Sequence, residues 1–137
     1  MNKSQFINEL SKLGLTPREY IVLGSGSMCA LGIREAHDID LCVSPRVIAK
    51  FESSGNWQLK SFPDDPSYYL VKGIFEVGMD WASKDGKPNL EELKVDEFIV
   101  DGIPFVSLKR VRAWKLWKGT EKHLKDIQLI DDYLESI

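Results

Sequence analysis

The chain has 137 residues, 43% of them hydrophobic and 28% charged, a composition typical of one globular domain rather than of a disordered or fibrous protein. The formal net charge of −3 excludes a generally basic surface that would attract nucleic acid or anionic lipid. No run of about 18 apolar residues occurs, so we expect no membrane span and a single cytoplasmic domain over residues 1–137.

Hydrophobic periodicity in the first half of the chain predicts a helix, two strands and a second helix, over residues 4–13, 20–23, 38–43 and 44–54. Ser4 and Ser44 are the expected N-caps of the two helices, since a serine hydroxyl can accept a hydrogen bond from the first turn. The small residues Gly24–Ser27 predict a turn after the first strand, followed by a short segment compatible with a helix.

The second half predicts mainly strands and then two helices. The strands are expected at residues 57–62, 68–71, 75–81, 98–100 and 103–106, and the helices at 107–118 and 121–135. Asp101-Gly102 is a strong two-residue hairpin signal, and Ser107 and Thr120 are the expected helix caps. This order predicts an α+β fold with a mixed, mostly antiparallel sheet and helices packed on one side.

Paired carboxylates are the strongest candidates for chemistry. Asp38 and Asp40 are two residues apart on a predicted strand, so both should project from one sheet face, about 6.5–7 Å apart. Such a pair favours a neutralising cation, and Mg²⁺ prefers oxygen ligands of this kind. On the strand 75–81, Asp80 shares a face with Glu76 and Gly78, and we expect Asp80 to complete a cluster of three carboxylates.

Each feature alone has a simpler interpretation. An Asp-x-Asp pair also occurs on the solvated face of an antiparallel sheet, Asp80 alone is typical of a surface charge, and Gly24–Ser27 alone is typical of a turn. This turn lacks the Gly-Lys-Ser/Thr of a P-loop and the third glycine of a Rossmann motif. The combination of a small-residue turn with two carboxylate-bearing strands favours a phosphate and metal site.

Leu23-Gly24-Ser25, followed by eleven residues and His37-Asp38-Ile39-Asp40-Leu41, resembles the motif of the nucleotidyltransferase superfamily, which has the DNA polymerase β-like fold. His37 stands where that motif has an apolar residue. Gly26-Ser27, with nine intervening residues, also fits the spacing, so both registers stay open. The segments 31–38 and 100–108, with Lys115 and Lys122-x-x-x-Asp126, resemble small bacterial members of the superfamily.

The resemblance implies an active enzyme that uses Mg²⁺ or Mn²⁺ and a nucleoside triphosphate such as ATP. It assigns the metal ions to three carboxylates, Asp38, Asp40 and Asp80, with Asp80 also helping to deprotonate the acceptor hydroxyl. It assigns the triphosphate to Gly24 and Ser25 (or Ser27), with Lys115 or Lys122 approaching it. The hydroxyl attacks the α-phosphate, pyrophosphate leaves, and the nucleoside monophosphate stays on the acceptor.

The predicted C-terminal helices carry a local excess of positive charge. Residues 109–125 hold seven lysines and arginines against Glu121 as the one acid. A solvated helical face is the simpler interpretation, with Lys122 and Asp126 as an i,i+4 ion pair, while a basic strip would also suit an RNA end as acceptor. Trp114 and Trp117 fit core packing better than base stacking.

The acceptor stays open between a small-molecule hydroxyl, a protein side chain and an RNA end. A second hypothesis is a non-catalytic nucleotide- or protein-binding module on the same fold, such as a toxin–antitoxin component. Because 137 residues leave little room for an acceptor-binding domain, the resemblance also points to a homodimer or a partner protein. A third hypothesis is a plain α+β scaffold whose carboxylates are only a solvated face.

Overall fold

A computed structural model describes residues 1–137 as six α-helices and one seven-stranded sheet. The helices are α1 Lys3–Ser11, α2 Ser25–Ala30, α3 Pro45–Ser54, α4 Leu90–Lys94, α5 Leu108–Lys118 and α6 Glu121–Ser136. The strands are β1 Tyr20–Val22, β2 Ile39–Val43, β3 Gln58–Phe62, β4 Asp65–Lys72, β5 Phe75–Gly78, β6 Phe98–Val100 and β7 Ile103–Phe105.

The strand order is β3-β4-β5-β2-β1-β7-β6, with β1 and β2 near the centre. Pairs β1/β2, β3/β4, β4/β5 and β6/β7 are antiparallel, whereas β1/β7 and β2/β5 are parallel. This confirms the predicted α+β class and the mixed, mostly antiparallel sheet. Because β1 runs against β2 and β5 runs with β2, the end of β1 and the starts of β2 and β5 meet at one edge of the sheet.

Helices cover both faces of the sheet, and not the single face that the sequence predicts. On one face, Tyr20 and Val22 of β1 pack in a core with residues of α1 and α3. On the other face, Ile21 and Leu23 pack in a second core with residues of α4, α5 and α6. The physical reason is that β1 is apolar at every position, as expected of a strand buried on both sides.

The helix caps are set by local hydrogen bonds. Asn2, not Ser4, caps α1: the Asn2 side chain accepts from the Gln5 amide at 2.9 Å, and the Gln5 side chain accepts from the Asn2 amide at 2.9 Å. The Ser44 cap is confirmed, since its hydroxyl accepts from the Val47 amide at 3.3 Å. The caps on α5 and α6, Ser107 and Thr120, are also as predicted.

Two boundaries differ from the prediction and affect the site. The turn expected at Gly24–Ser27 is already helical from Ser25 onward, as the start of α2. Strand β5 ends at Gly78, so Asp80 lies beyond it, where it forms an isolated antiparallel bridge with Asn89.

Candidate active site

Asp40 and Glu76 lie side by side at the sheet edge where β1 ends. The parallel register of β2 and β5 places Asp40 opposite Glu76, and the Leu23 amide donates to the Asp40 carbonyl at 2.8 Å. Alternation along β2 buries Ile39 and Leu41 in the opposite core, so Asp40 points to the face of α5 and α6. Asp38 comes just before β2 and is exposed.

The electrostatics of this edge penalise negative charge. Burial, together with the charges of Asp38 and Glu76, raises the pKa of Asp40 to about 7. Burial and the charge of Asp38 likewise raise the pKa of Glu76. The Asp40 Oδ1 atom is buried and has no hydrogen-bond partner. A buried carboxylate oxygen without a partner is costly, and a positively charged ligand would relieve that cost.

A divalent cation fits these residues. Asp38, Asp40 and Glu76 offer the hard oxygen ligands that Mg²⁺ and Mn²⁺ prefer. Asp40 Oδ1 has no hydrogen-bond partner, so it is free to bind a metal ion. No three acidic, histidine or cysteine side chains already lie gathered as a metal-ligand group. That spread is expected when three like charges repel one another.

Asp80 lies beyond the end of β5 and lines the same cavity as Asp40 and Glu76. Its pKa is raised by burial alone, whereas the pKa values of Asp40 and Glu76 also respond to the charge of Asp38. The charge of Asp80 acts instead on the Cys42 thiol, whose pKa is raised to about 12, mainly by burial. The carboxylate that the fold sets beside Asp40 is therefore Glu76. The sequence signal that favours Glu76 is its place directly after Phe75, matching Asp40 after Ile39.

Gly24 fits closely against the carboxylates. Its backbone adopts φ 61° and ψ −134°, a region that residues with a side chain rarely enter. A Cβ at this position would lie 3.7 Å from Asp40 Oδ2. The glycine therefore lets the chain turn from β1 into α2 directly beside Asp40.

The second predicted register, Gly26-Ser27, is buried in the core. The Ser27 hydroxyl is inaccessible to solvent and donates to the Val106 carbonyl at 2.7 Å. A Cβ on Gly26 would lie 2.3 Å from Val22 Cγ1. Ser25, by contrast, is only half-buried and adjoins Gly24. The geometry favours the Gly24-Ser25 register for contact with a ligand.

Cations gather on the other side of Ser25. The Ser25 hydroxyl accepts hydrogen bonds from Arg34 Nη2 at 2.6 Å and from Lys115 Nζ at 3.4 Å. Lys115 is 2% exposed and donates to Asp126 Oδ2 at 2.8 Å. The predicted Lys122–Asp126 pair is therefore wrong: α5 packs on α6 and brings the buried Lys115 to Asp126, while Lys122 stays exposed nearby.

An aromatic cleft opens beside the carboxylates. A cavity of about 360 Å³ is lined by Asp40, Glu76 and Asp80 together with aromatic side chains, among them Tyr69, Trp81 and Trp114. The Trp81 and Trp114 rings stack with centroids 5.5 Å apart, and the same two tryptophans line a second cavity of about 790 Å³. The prediction that Trp114 and Trp117 pack in the core is wrong: Trp117 is exposed, and Trp114 is half-buried, stacks on Trp81 and lines the cleft.

The fold has a solved counterpart. The crystal structure of ANT(2'')-Ia, an aminoglycoside nucleotidyltransferase, in complex with adenylyl-2''-tobramycin superposes with a TM-score of 0.54 at 14% sequence identity. The alignment covers 85% of this chain and 79% of that one. The chain has a nucleotidyltransferase-like fold. No protein-family model and no curated protein sequence matches it.

None of the six helices combines the length and the apolar character needed to cross a bilayer.

Proposed function

We propose that the protein is a metal-dependent nucleotidyltransferase, which moves a nucleoside monophosphate from a nucleoside triphosphate onto a hydroxyl acceptor. The observation that carries the proposal is the buried, partnerless Asp40 Oδ1, at the edge where Asp38, Glu76 and the Gly24 turn meet. The fold-level likeness to ANT(2'')-Ia supports the same reaction class.

In this proposal Asp38, Asp40 and Glu76 hold Mg²⁺ or Mn²⁺, and Glu76 takes the place that the sequence resemblance gives to Asp80. When bound, the ion neutralises phosphate charge and polarises the phosphoryl group. Its charge also removes the penalty that burial and neighbouring acids place on ionised Asp40.

The triphosphate is proposed to lie over Gly24 and Ser25, between the carboxylates and the cations. Arg34 and Lys115 supply positive charge from the far side of Ser25, and Lys115 is close enough to influence the pKa of Asp40. Lys122, exposed near Lys115, is proposed to meet the outer phosphates. Charged donors of this kind make the strongest hydrogen bonds to phosphate.

Glu76 is proposed to accept the proton of the acceptor hydroxyl. Burial and the charge of Asp38 raise the pKa of Glu76, which makes it a stronger base than an ordinary carboxylate. As the hydroxyl oxygen bonds to the α-phosphorus, the bond between that phosphorus and the bridging oxygen breaks. The proton passes to Glu76, and pyrophosphate leaves with the bonding electrons.

A small molecule is the acceptor class that the cleft favours. A volume of about 360 Å³ walled by tyrosine and tryptophan rings suits a compact ring-bearing compound. The ligand of the ANT(2'')-Ia structure, adenylyl-2''-tobramycin, is an adenylylated small molecule, so ATP is the first nucleotide to test. Protein and RNA acceptors are the alternatives.

The test is thermal unfolding with each of the four ribonucleoside triphosphates, with and without Mg²⁺. A ligand at about 100 times its Kd adds roughly 2.7 kcal/mol to the folded state, a clear shift in Tm for a domain of this size. We expect at least one triphosphate to raise Tm only with Mg²⁺, and we expect Asp40→Asn to abolish that shift. A full shift in Asp40→Asn would refute the proposed site.

A non-catalytic binding module is the second candidate, favoured by one surface feature. Every residue of the edge strand β3 is exposed, including Leu59 and Phe62. Exposed apolar edge strands are typical sites for pairing with another chain. This candidate predicts Mg²⁺-dependent nucleotide binding without turnover, together with a homodimer or a co-purifying partner such as a toxin–antitoxin protein.

A further inference from the structure

A second cavity adjoins the candidate active site and is not used by the proposed reaction. Its volume is about 790 Å³, within the range of roughly 300–1,000 Å³ that is usual for small-molecule sites. It is lined by residues of α4, of α5 and of the segment that links β5 to α4, and it shares Trp81, Lys87 and Trp114 with the aromatic cleft. The two cavities are therefore neighbours.

The segment that links β5 to α4 is held in a fixed shape beside this cavity. The Trp81 amide donates to the Pro88 carbonyl at 3.0 Å, and the Ser83 amide donates to the Gly86 carbonyl at 2.7 Å. The Trp81 ring also stacks on the Trp114 ring of α5. This wall is thus in place before any ligand binds, which lowers the cost of binding.

Exposed apolar side chains of α5 line the cavity. Trp117 is 43% exposed, and Leu116 beside it is 57% exposed. Ala113, one turn earlier on the helix, is also exposed and lines the same cavity. Single exposed apolar residues are common, but a group of them in a concave site is typical of ligand binding. The flat indole ring of Trp117 favours a flat aromatic ligand, because aromatic rings stack on one another.

Positive charge surrounds the exposed tryptophan. Neither Lys84 nor Lys109, which both line the cavity, forms an ion pair with an acidic side chain. Lys118 also has no acidic partner, and its Nζ lies 5.5 Å from the Trp114 ring centroid and 4.8 Å from the Trp117 ring centroid. These lysines repel a cationic ligand and attract an anionic one.

The acidic side chains that line the cavity are mostly engaged within the protein. Asp96 accepts from Arg110 Nε at 2.8 Å, and Glu92 accepts from the Asn89 amide at 3.3 Å at the start of α4. Asp85, in the exposed turn of the linking segment, forms no ion pair. Three lysines without an acidic partner, against this one free acid, favour a ligand with negative charge.

We propose that this cavity is a second small-molecule site, which binds a flat aromatic compound carrying an acidic group. The aromatic ring stacks on Trp117, and the acidic group pairs with Lys118. The site itself does not depend on the proposed function. Because it shares Trp81 and Trp114 with the cleft, it is placed to hold the part of an acceptor that does not react, and that role alone rests on the proposed function.

The test is fluorescence titration of the full chain with anilinonaphthalene sulfonate, a flat aromatic anion whose emission rises when it leaves water. Phenylnaphthylamine, which has the same rings without the sulfonate, is the matched uncharged compound. We expect one sulfonate site per chain, with energy transfer from tryptophan. The uncharged compound should bind at least about fivefold more weakly, because it cannot pair with a lysine.

Two variants test the two contacts. Trp117→Ala should weaken sulfonate binding about tenfold, because the stacking surface is lost. Lys118→Gln should weaken sulfonate binding about three- to tenfold and leave binding of the uncharged compound unchanged. Leu134→Ala, at a 46% exposed position of α6, and Lys50→Gln, on the exposed side of α3, are the matched controls outside the cavity, and both should bind within about twofold of wild type.

Wild-type affinity in Trp117→Ala would overturn the site. Equal affinities of the charged and uncharged compounds would also overturn it. A loss in Leu134→Ala as large as that in Trp117→Ala would overturn it as well, since it would indicate nonspecific apolar binding. If Trp117→Ala fails to fold, Lys118→Gln and the comparison of the two compounds in wild type decide the question.

Asp40→Asn separates this site from the proposed function. Asp40 lines the cleft and not this cavity, so the variant should lose the Mg²⁺-dependent nucleotide shift and still bind the sulfonate within about twofold of wild type. No nucleotide shift in wild type, with the sulfonate bound as expected, would contradict the proposed function and leave this site standing. A normal nucleotide shift without sulfonate binding would contradict this site and leave the function standing.

Discussion

The two sides of the Gly24-Ser25 turn carry opposite charges: carboxylates lie on the strand side and cations on the helix side. On the strand side, Asp38, Asp40 and Glu76 carry like charges, and one buried oxygen has no partner. On the helix side, Asp126 accepts hydrogen bonds of 2.8 Å from Lys115 Nζ and 3.1 Å from Arg34 Nη2, while Arg34 Nε lies 3.0 Å from Asp126 without a hydrogen-bond partner. The comparison teaches that the cations are paired within the protein, whereas the like-charged carboxylate edge has no internal cation of its own, and there we expect a bound cation to stabilise the fold.

Gly24 joins the two sides, and we expect its substitution to have the largest effect. Gly24→Ala should lower the free energy of unfolding by about 1–3 kcal/mol, because its backbone conformation is strained for alanine. It should also reduce the Mg²⁺-dependent nucleotide shift, because relief of the strained backbone would displace the turn that lies beside Asp40. Urea unfolding measures the first effect, and thermal unfolding with nucleotide measures the second.

Gly32→Ala is the control for the Gly24 variant. Gly32 also has positive φ, at 73°, but a Cβ there would meet no atom within 4 Å. Its cost should be about 1 kcal/mol from backbone strain, with nucleotide binding intact. Loss of nucleotide binding in Gly32→Ala, or its retention in Gly24→Ala, would contradict the close fit between Gly24 and Asp40.

The two sides should respond to pH with opposite signs. Asp40 binds its proton more tightly in the folded protein, with a pKa of about 7 against an ordinary 3.8. The stability of the metal-free protein should therefore fall, on the order of 2 kcal/mol, as pH rises from about 4 to about 7. Burial alone would raise the pKa of Asp126, but Lys115 and Arg34 outweigh it and hold that pKa below its usual range. The stability from Asp126 should persist above about pH 4 and be lost on further acidification.

Chemical denaturation at a series of pH values, without metal, measures how the stability contributed by Asp40 and by Asp126 changes with pH. Asp40→Asn should reduce the loss of stability between about pH 4 and pH 7, leaving the smaller part that comes from Glu76 and Asp80, and should not change the loss of stability below about pH 4. A wild-type protein whose stability rises steadily over that range would show that Asp40 is not held in its neutral form.

We expect the smallest effects from substitution of the two serines of the turn, Ser25 and Ser27, and these effects should differ in kind. Ser27→Ala should cost about 1 kcal/mol of stability, because the Val106 carbonyl loses its buried donor, and should leave nucleotide binding unchanged. Ser25→Ala should do the reverse, with little change in stability and about tenfold weaker nucleotide binding. Thermal unfolding and calorimetric titration of both variants distinguish the two registers, and weaker binding in Ser27→Ala alone would favour Gly26-Ser27.

Much of the fold was predictable from the sequence because it depends on local patterns. The alternation in β2, the Ser44-Pro45 start of α3 and the Asp101-Gly102 hairpin are encoded within a few residues. Strand β1 is predictable as an apolar run, and its apolar character on both faces explains the two helical layers. The five-residue helix α4 is too short to show a hydrophobic period, so the sequence pattern does not predict it.

The site was predictable only in part, because its decisive contacts are not local. Asp38, Asp40 and the Gly24-Ser25 turn follow from one continuous motif. The position of Glu76 opposite Asp40 depends on the register between β2 and β5, which the sequence does not specify. The Arg34–Asp126 pair joins residues 92 positions apart, and only the packing of α5 on α6 shows that Asp126 meets Lys115 and not Lys122.

The most direct test of the carboxylate site is Mn²⁺ binding, followed by electron paramagnetic resonance, in wild type, Glu76→Gln and Asp80→Asn. The register of β2 and β5 places Glu76 opposite Asp40, and Asp80 lies beyond the end of β5. Glu76→Gln should therefore bind Mn²⁺ at least about tenfold more weakly, while Asp80→Asn should bind it as wild type does. Loss of Mn²⁺ binding in Asp80→Asn, with wild-type affinity in Glu76→Gln, would contradict the site described here.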